Sequence, residues 1–187
     1  MARLAGGLEQ AADRGGDVAR SSAARFTARL EPRIDPCLRL ARAILGDHAD
    51  AEDVLHDAVV AAWRAWPDLR DETRFDGWFD RILVNRCRDR LRRRRRGPHV
   101  VPIVRELESG PLVDPWPRVT DSLAVERAFA DLDPEHAVVA ALRFYRDLPI
   151  DAIAALVGIP EGTVKSRLHH ATLRLRAALG AHEAADD

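Results

Sequence analysis

The chain has 187 residues, 47% of them hydrophobic and 32% charged, with a formal net charge of −1; it can bury one fair-sized core or two small ones and is too apolar to stay unfolded. No apolar run approaches the roughly 20 residues of a membrane-spanning helix, and the first residues lack a signal-peptide core, so a cytoplasmic protein is expected. A near-neutral balance argues against a nucleic-acid binder only if the charge is evenly spread. It is not: residues 47–57 carry Asp47, Asp50, Glu52, Asp53 and Asp57 with no Arg or Lys, whereas residues 86–96 carry eight arginines and one acid. Two opposed faces are predicted. The two cysteines, Cys37 and Cys87, are too few for a metal cluster or a disulfide framework and read as small buried thiols.

In chain order, residues 1–25 mix Ala, Gly, Arg and Asp without sustained periodicity and are expected to form a mobile tail. From Phe26 the apolar residues Leu30, Ile34, Leu38, Ala41 and Leu45 follow at helical spacing, with Pro32 and Pro36 bending or restarting the helix. Ala51, Val54, Leu55, Ala58, Val59, Ala62, Trp63 and Trp66 mark a second helix over about 50–66, stopped by Pro67 and acidic at its N-terminal end, where carboxylates favour the helix dipole. A third runs from Trp78 through Phe79, Ile82, Leu83, Cys87 and Leu91 into the arginines. Three helices with aromatic anchors make a small bundle.

Residues 97–121 hold Pro98, Pro102, Pro111, Pro115 and Pro117 and predict a linker, because so long a structureless stretch inside one compact domain is unusual. Four shorter helices follow at about 122–131, 134–146, 149–157 and 160–179, the second opened by Asp133 as N-cap and Pro134 in the first turn. Residues 181–187 are an acidic tail. No strand-like alternation occurs. The expected fold is all-α: a three-helix bundle over 26–96 and a four-helix domain over 122–180, joined by a flexible Pro-rich linker.

The last two helices have the form of a helix-turn-helix at Ile150–Leu179, the unit whose second helix enters the DNA major groove. Ala154 sits at the crossing, Gly158 at the turn, and Ile153, Val157, Ile159 and Val164 form its small core. Thr163, Lys165, Ser166, Arg167, His169 and His170 then present groups able to reach phosphates or base edges, with Arg174 and Arg176 adding charge. The eight arginines of 86–96 suit phosphate contact, and Arg86, Arg88, Arg90 and Arg92 are the foremost candidates.

The segment LDPEHAVVAALRFYRDLPIDAIAALVGIPEGTVKSRLHHATLRLRAAL resembles region 4 of bacterial RNA polymerase sigma factors, and DAEDVLHDAVVAAWR with FDGWFDRILVNRCRDRLRRRRR resembles region 2. That order, with a variable linker and nothing else, resembles the extracytoplasmic-function (ECF) subfamily. The resemblance implies that core RNA polymerase and promoter DNA are the partners: the β′ coiled coil for region 2, through Asp53, His56 and Asp57, and the β subunit for region 4. It also implies an anti-sigma partner, to which no residue is assigned. His56 stands where Gln is usual and Val59 where an aromatic residue is common.

On the same resemblance, the Trp78–Arg96 helix would melt and read the minus-ten element, with Asn85 lining the pocket of a flipped base. Trp78 is either a support for unstacked bases or a core anchor. Lys165, Ser166, His169 and His170 would read the minus-thirty-five element, with Thr163 and Arg167 nearer the backbone; His170 replaces a common arginine. The linker acids Glu106, Glu108, Asp114 and Asp121 fit either a role in the RNA path or solvation alone.

Two rival readings are weaker. A metal enzyme would use Asp53 with His56 and Asp133 with His136, but these pairs lie in separate domains and the further glutamates of a di-iron bundle are missing. A repressor or activator would leave the N-terminal block without a purpose and lacks a dimerisation helix. No cofactor, metal or catalytic residue is expected.

Overall fold

The computed structural model describes residues 20–96 and 122–183. Residues 1–19, the linker at 97–121 with its acids, and residues 184–187 lie outside the described residues. Eight α-helices and no strand occur among those described. No described helix is long and apolar enough to cross a membrane.

The N-terminal block holds α1 (20–30), α2 (Ile34–Leu45), α3 (His48–Ala65) and α4 (Phe75–Arg96). Residues 20–25, expected in the mobile tail, instead form the first turns of α1. They are tied down: Trp66 Nε1 donates to Ser22 Oγ at 3.1 Å, and Arg25 pairs with Glu72 at 2.9 Å. Phe26, one turn on, packs edge-on against Trp63, Trp66 and Phe75 with ring centroids 5.2, 5.5 and 5.9 Å away. That aromatic cluster gives α1 a reason to dock that period counting over a short, Ala-rich segment did not reveal.

The two prolines bend the chain without ending it. Pro32 lies in a 3₁₀ turn, Glu31–Arg33, and Pro36 falls in the first turn of α2, where a missing N–H costs no helical bond. Gly46 then closes α2 at φ +63°, a backbone conformation that side chains disfavour, and donates its N–H to the Arg42 carbonyl at 2.8 Å. Asp47 caps α3 by accepting from the Asp50 N–H at 2.8 Å.

The C-terminal block holds α5 (Ser122–Ala130), α6 (Pro134–Arg146), α7 (Ile150–Val157) and α8 (Glu161–Glu183). Asp133 does occupy the N-cap of α6, but its side chain makes no capping bond. Its carbonyl instead accepts from His136 and Ala137 at 2.8 and 2.9 Å. Pro149 and Pro160 stand just before α7 and α8, their carbonyls accepting the first helical bonds from Ile153 and from Thr163 and Val164.

The two blocks pack together. α2 lies along α6 and α5, α4 meets α7 and α6, and one buried cluster extends from Phe26 to Leu175. Small side chains permit the approach: Ala137, Ala140 and Ala141 on α6 are at most 2% exposed, and a Cβ on Gly46 would lie 3.1 Å from that of Ala130.

Candidate nucleic-acid interface

The helix-turn-helix is built on a three-residue turn. Gly158, at φ +73°, donates its N–H to the Ala154 carbonyl at 2.8 Å, and Ile159 N–H reaches the same oxygen at 3.2 Å. This C-terminal signature reverses the chain, and Ile153, Val157 and Val164, all under 5% exposed, clamp α7 onto α8. The outer stripe of α8 presents Lys165, Ser166, His169 and His170, all exposed. Their spacing of one, three and one residues puts them on one face. The His170 ring lies tilted to that of His136 and edge-on to that of His169, with both ring centroids 5.8 Å away. Thr163 and Arg167 are half-buried, and Arg167 is ion-paired with Glu135 of α6. The residues expected nearest the DNA backbone are thus the ones the protein holds inward.

α4 carries two polar stripes. Arg81, Asn85 and Arg88 follow at helical spacing on one face, and that face meets α7. Arg81 donates to the Ala155 carbonyl at 3.1 Å and Arg88 to the Val157 carbonyl at 2.9 Å. Asn85 lies between them and is exposed. Trp78, two turns earlier on the same face, is half-buried against the Phe75 ring, with centroids 5.8 Å apart.

The second stripe, Arg86, Arg90 and Arg93, faces the acidic end of α3. Arg90 pairs with Asp50 and lies 3.6 Å from Asp53; Arg94 pairs with Asp50 and donates to the Leu45 carbonyl at 2.9 Å. The hydrogen bond from Arg90, aided by the charges of Arg94 and Arg90, holds the Asp50 carboxyl below its ordinary value of 3.8. The acidic and basic stretches are therefore neighbours across α3 and α4, which corrects the expectation of opposed faces: a charge count along the sequence does not say which helices will touch. Arg92 lies 3.4 Å from Asp89. Of the four foremost arginine candidates, Arg86 alone has no ion pair or hydrogen bond among the described residues, and Arg93, which sequence reasoning did not single out, shares that state. Asp53, His56 and Asp57 are all exposed on α3, and Asp53 and Asp57 border a shallow groove with Arg86 and Arg93.

A cleft of about 120 Å³ between the blocks is lined by Arg88, Arg92 and Arg167 over an apolar floor of Leu91, Val138, Val157 and Ile159. Deeper lies a cluster that sequence reasoning missed: Asp80 of α4, 5% exposed, with Arg33 and Cys37 beside it and Arg146 reaching across from α6. One signal was available, since Asp80 falls on the apolar stripe of Phe79, Leu83, Val84 and Cys87. Burial pushes the Cys37 thiol up to about 11 and the Cys87 thiol to about 12, in keeping with inert core positions. Asp133 and His136 sit 3.4 Å apart in the C-terminal block, away from Asp53 and His56, and no metal-binding group of three or more His, Cys, Asp or Glu is gathered among the described residues.

This arrangement, a helix-turn-helix beside a bundle whose last helix ends in arginines, has counterparts in known proteins. The family model for Sigma-70 region 2 matches residues 29–97, and that for Sigma-70, region 4 matches residues 128–177. Over 142 residues the chain is 35% identical to the ECF RNA polymerase sigma factor SigM of Mycobacterium tuberculosis, covering 76% of this chain and 70% of that protein. It is 30% identical over 158 residues to the RNA polymerase sigma-E factor of Streptomyces coelicolor, covering 84% of this chain and 88% of that one. The fold is similar to that of the sigma factor RpoE from Bartonella quintana, solved in complex with the anti-sigma factor NepR: TM-score 0.66 at 23% identity, over 83% of this chain and 96% of that one. The chain belongs to the ECF family of RNA polymerase sigma factors.

Proposed function

We propose that this sigma factor divides promoter recognition between its two blocks. The exposed stripe Lys165, Ser166, His169 and His170 on α8 reads the minus-thirty-five element as duplex, and it is the observation that carries the reading: four exposed polar side chains on the helix that follows a glycine-closed turn. Thr163 and Arg167 flank that stripe, Arg167 exchanging Glu135 for a phosphate when DNA is bound.

α4 melts and reads the minus-ten element. Asn85 has both a donor and an acceptor for the edge of an unstacked base, Trp78 braces the same face, and Arg86, Arg88, Arg90 and Arg92 track the phosphates. Asp53, His56 and Asp57, on the exposed face of α3, dock on the β′ coiled coil of core polymerase, and the C-terminal block meets the β subunit. Binding and strand separation are the whole task, so the chain is not itself an enzyme and needs no cofactor; it works in the cytoplasm with the polymerase. An anti-sigma factor is a natural partner, as for the Bartonella protein.

Adding the purified chain to core RNA polymerase tests the reading. Promoter-specific initiation that neither component achieves alone is expected, and failure to bind core polymerase would return the protein to the class of repressors or activators.

A further inference from the structure

Two stripes of α8 meet at His170. It lies four residues after Ser166 on the exposed stripe assigned to base edges. It also belongs to the stripe Arg167, His170 and Arg174, whose spacing of three and four residues forms one helical face. The first turn of α6, with the Asp133 that precedes it, receives all three. Arg167 pairs with Glu135, Arg174 Nη2 stands 3.8 Å from Asp133 Oδ2, and between them the His170 ring meets that of His136 with centroids 5.8 Å apart, tilted by 42°. That separation falls within the range of about 4.5–7 Å over which paired rings interact.

His136 is itself held. It belongs to α6, outside the helix-turn-helix, and its side chain is 23% exposed. Nδ1 is buried, without a hydrogen bond, 3.4 Å from Asp133 Oδ2, so the exposure belongs to the remaining ring atoms. The inward edge of the ring is thus set by packing and by a carboxylate. His170, exposed to solvent, has a ring partner that is not free to turn.

Orientation matters more for a histidine than for the cations beside it. An arginine or lysine head group offers donors only, so rotation changes its reach but not its chemistry. A neutral imidazole offers a donor on one nitrogen and an acceptor on the other, and turning the ring exchanges what a base pair meets. A ring held in one orientation presents a single edge, and it has already lost the rotamer freedom that binding would otherwise remove.

We infer that His136 is a specificity-determining residue of the duplex-reading surface: from α6 it holds the His170 ring in the orientation that presents one edge to a base pair. It is a positioning residue, acting through His170 by ring contact. This rests on the proposed assignment of the α8 stripe to the minus-thirty-five element. Preference at that base pair then belongs to residues 136 and 170 together, and a recognition helix transplanted without His136 would not carry it.

The test uses core polymerase reconstituted with the full chain and a pool of promoter fragments randomised across the minus-thirty-five element, the bound fraction being sequenced. His170→Ala should lower discrimination about fivefold or more at one or two base pairs, and Lys165→Ala should act at others or on overall affinity. His136→Ala, with helical content preserved, should lower discrimination at least about threefold at the His170 base pairs and leave the rest as in the parent. His136→Gln, which removes the ring but keeps a helix-compatible side chain, should do the same. His136→Phe, which keeps a ring against His170, should restore most of the preference. In the double variant His136→Ala with His170→Ala, the loss should equal that of His170→Ala alone, because the first residue acts only through the second.

Unchanged discrimination in both His136→Ala and His136→Gln overturns the inference, as does a loss spread evenly over the whole element, an additive loss in the double variant, or a His136→Phe that behaves as Ala. Those results leave the reading of α8 standing whenever His170→Ala still acts at particular base pairs. If neither His170→Ala nor Lys165→Ala changes any preference, the assignment of α8 fails and the inference falls with it.

Discussion

α4 and α8 are both rich in cations, yet they hold their charge differently. The arginines of α4 are largely engaged: Arg81 and Arg88 with α7 carbonyls, Arg90 and Arg94 with Asp50, Arg92 with Asp89. α8 keeps its inward cation, Arg167, on Glu135 but leaves Lys165, Ser166, His169 and His170 facing solvent. On the proposed division of labour, the helix assigned to intact duplex already presents its polar stripe, whereas most described arginines of the helix assigned to separated strands have partners within the chain. Availability, more than charge count, separates a surface that binds first from one that acts later.

The sharpest way to break this comparison is Asn85→Ala. Loss of a base-edge contact worth about 1–3 kcal/mol should cut open-complex formation about tenfold or more. Binding to a closed duplex fragment should hardly change, because the pocket acts only on separated strands. Permanganate footprinting beside a duplex mobility shift checks this, and equal losses in both would place Asn85 outside the melting step.

Lys165→Ala should do the reverse and rather less. Duplex affinity is expected to fall by about 1–2 kcal/mol and the slope of log K against log salt by about one, since one cation leaves the phosphate or base-contact set. A titration of affinity against salt on a minus-thirty-five fragment decides it, and an unchanged slope would remove Lys165 from the interface.

Local patterns made much of this legible in the sequence. The helices from Trp78 onward, the glycine turn at Gly158 and the outward stripe of α8 all follow from residues within a few positions of one another, where periodicity and capping act. What escaped was long-range. That Arg90 and Arg94 would be spent on Asp50, that Phe26 would join Trp66 and Phe75, and that Asp80 would meet Arg146 depends on packing between elements 40 to 66 residues apart. An acid on the apolar stripe of α4 was the one local sign of the last of these, and it announces a buried partner without naming it.

A smaller effect sharpens the comparison from the α8 side. Gly158 sits at φ +73° with nothing within 4 Å of where a Cβ would be, so Gly158→Ala isolates the backbone cost, about 1 kcal/mol. Thermal unfolding should show a Tm several degrees lower, and Gly158→Asn should lose less because Asn tolerates the left-handed region. If Ala and Asn cost the same, something other than backbone strain governs the turn.

The mildest test returns to α4. Asp50→Asn removes the carboxylate that holds Arg90 and Arg94, so non-specific DNA binding should tighten and its salt slope steepen by about one to two. Stability should fall by at most about 1 kcal/mol, the ion pairs being partly exposed. The pH dependence has a definite sign. Because the Asp50 carboxyl is held below its ordinary value of 3.8 by Arg90 and Arg94, its contribution is complete above that pH and is lost as the pH falls through the lower folded value. Parent and Asp50→Asn should therefore differ in stability at neutral pH and converge below about pH 4, a convergence that acid titrations followed by circular dichroism can read. If the gap persists in acid, the contribution of Asp50 to stability does not come from its charge, and the ion pairs with Arg90 and Arg94 are not its source.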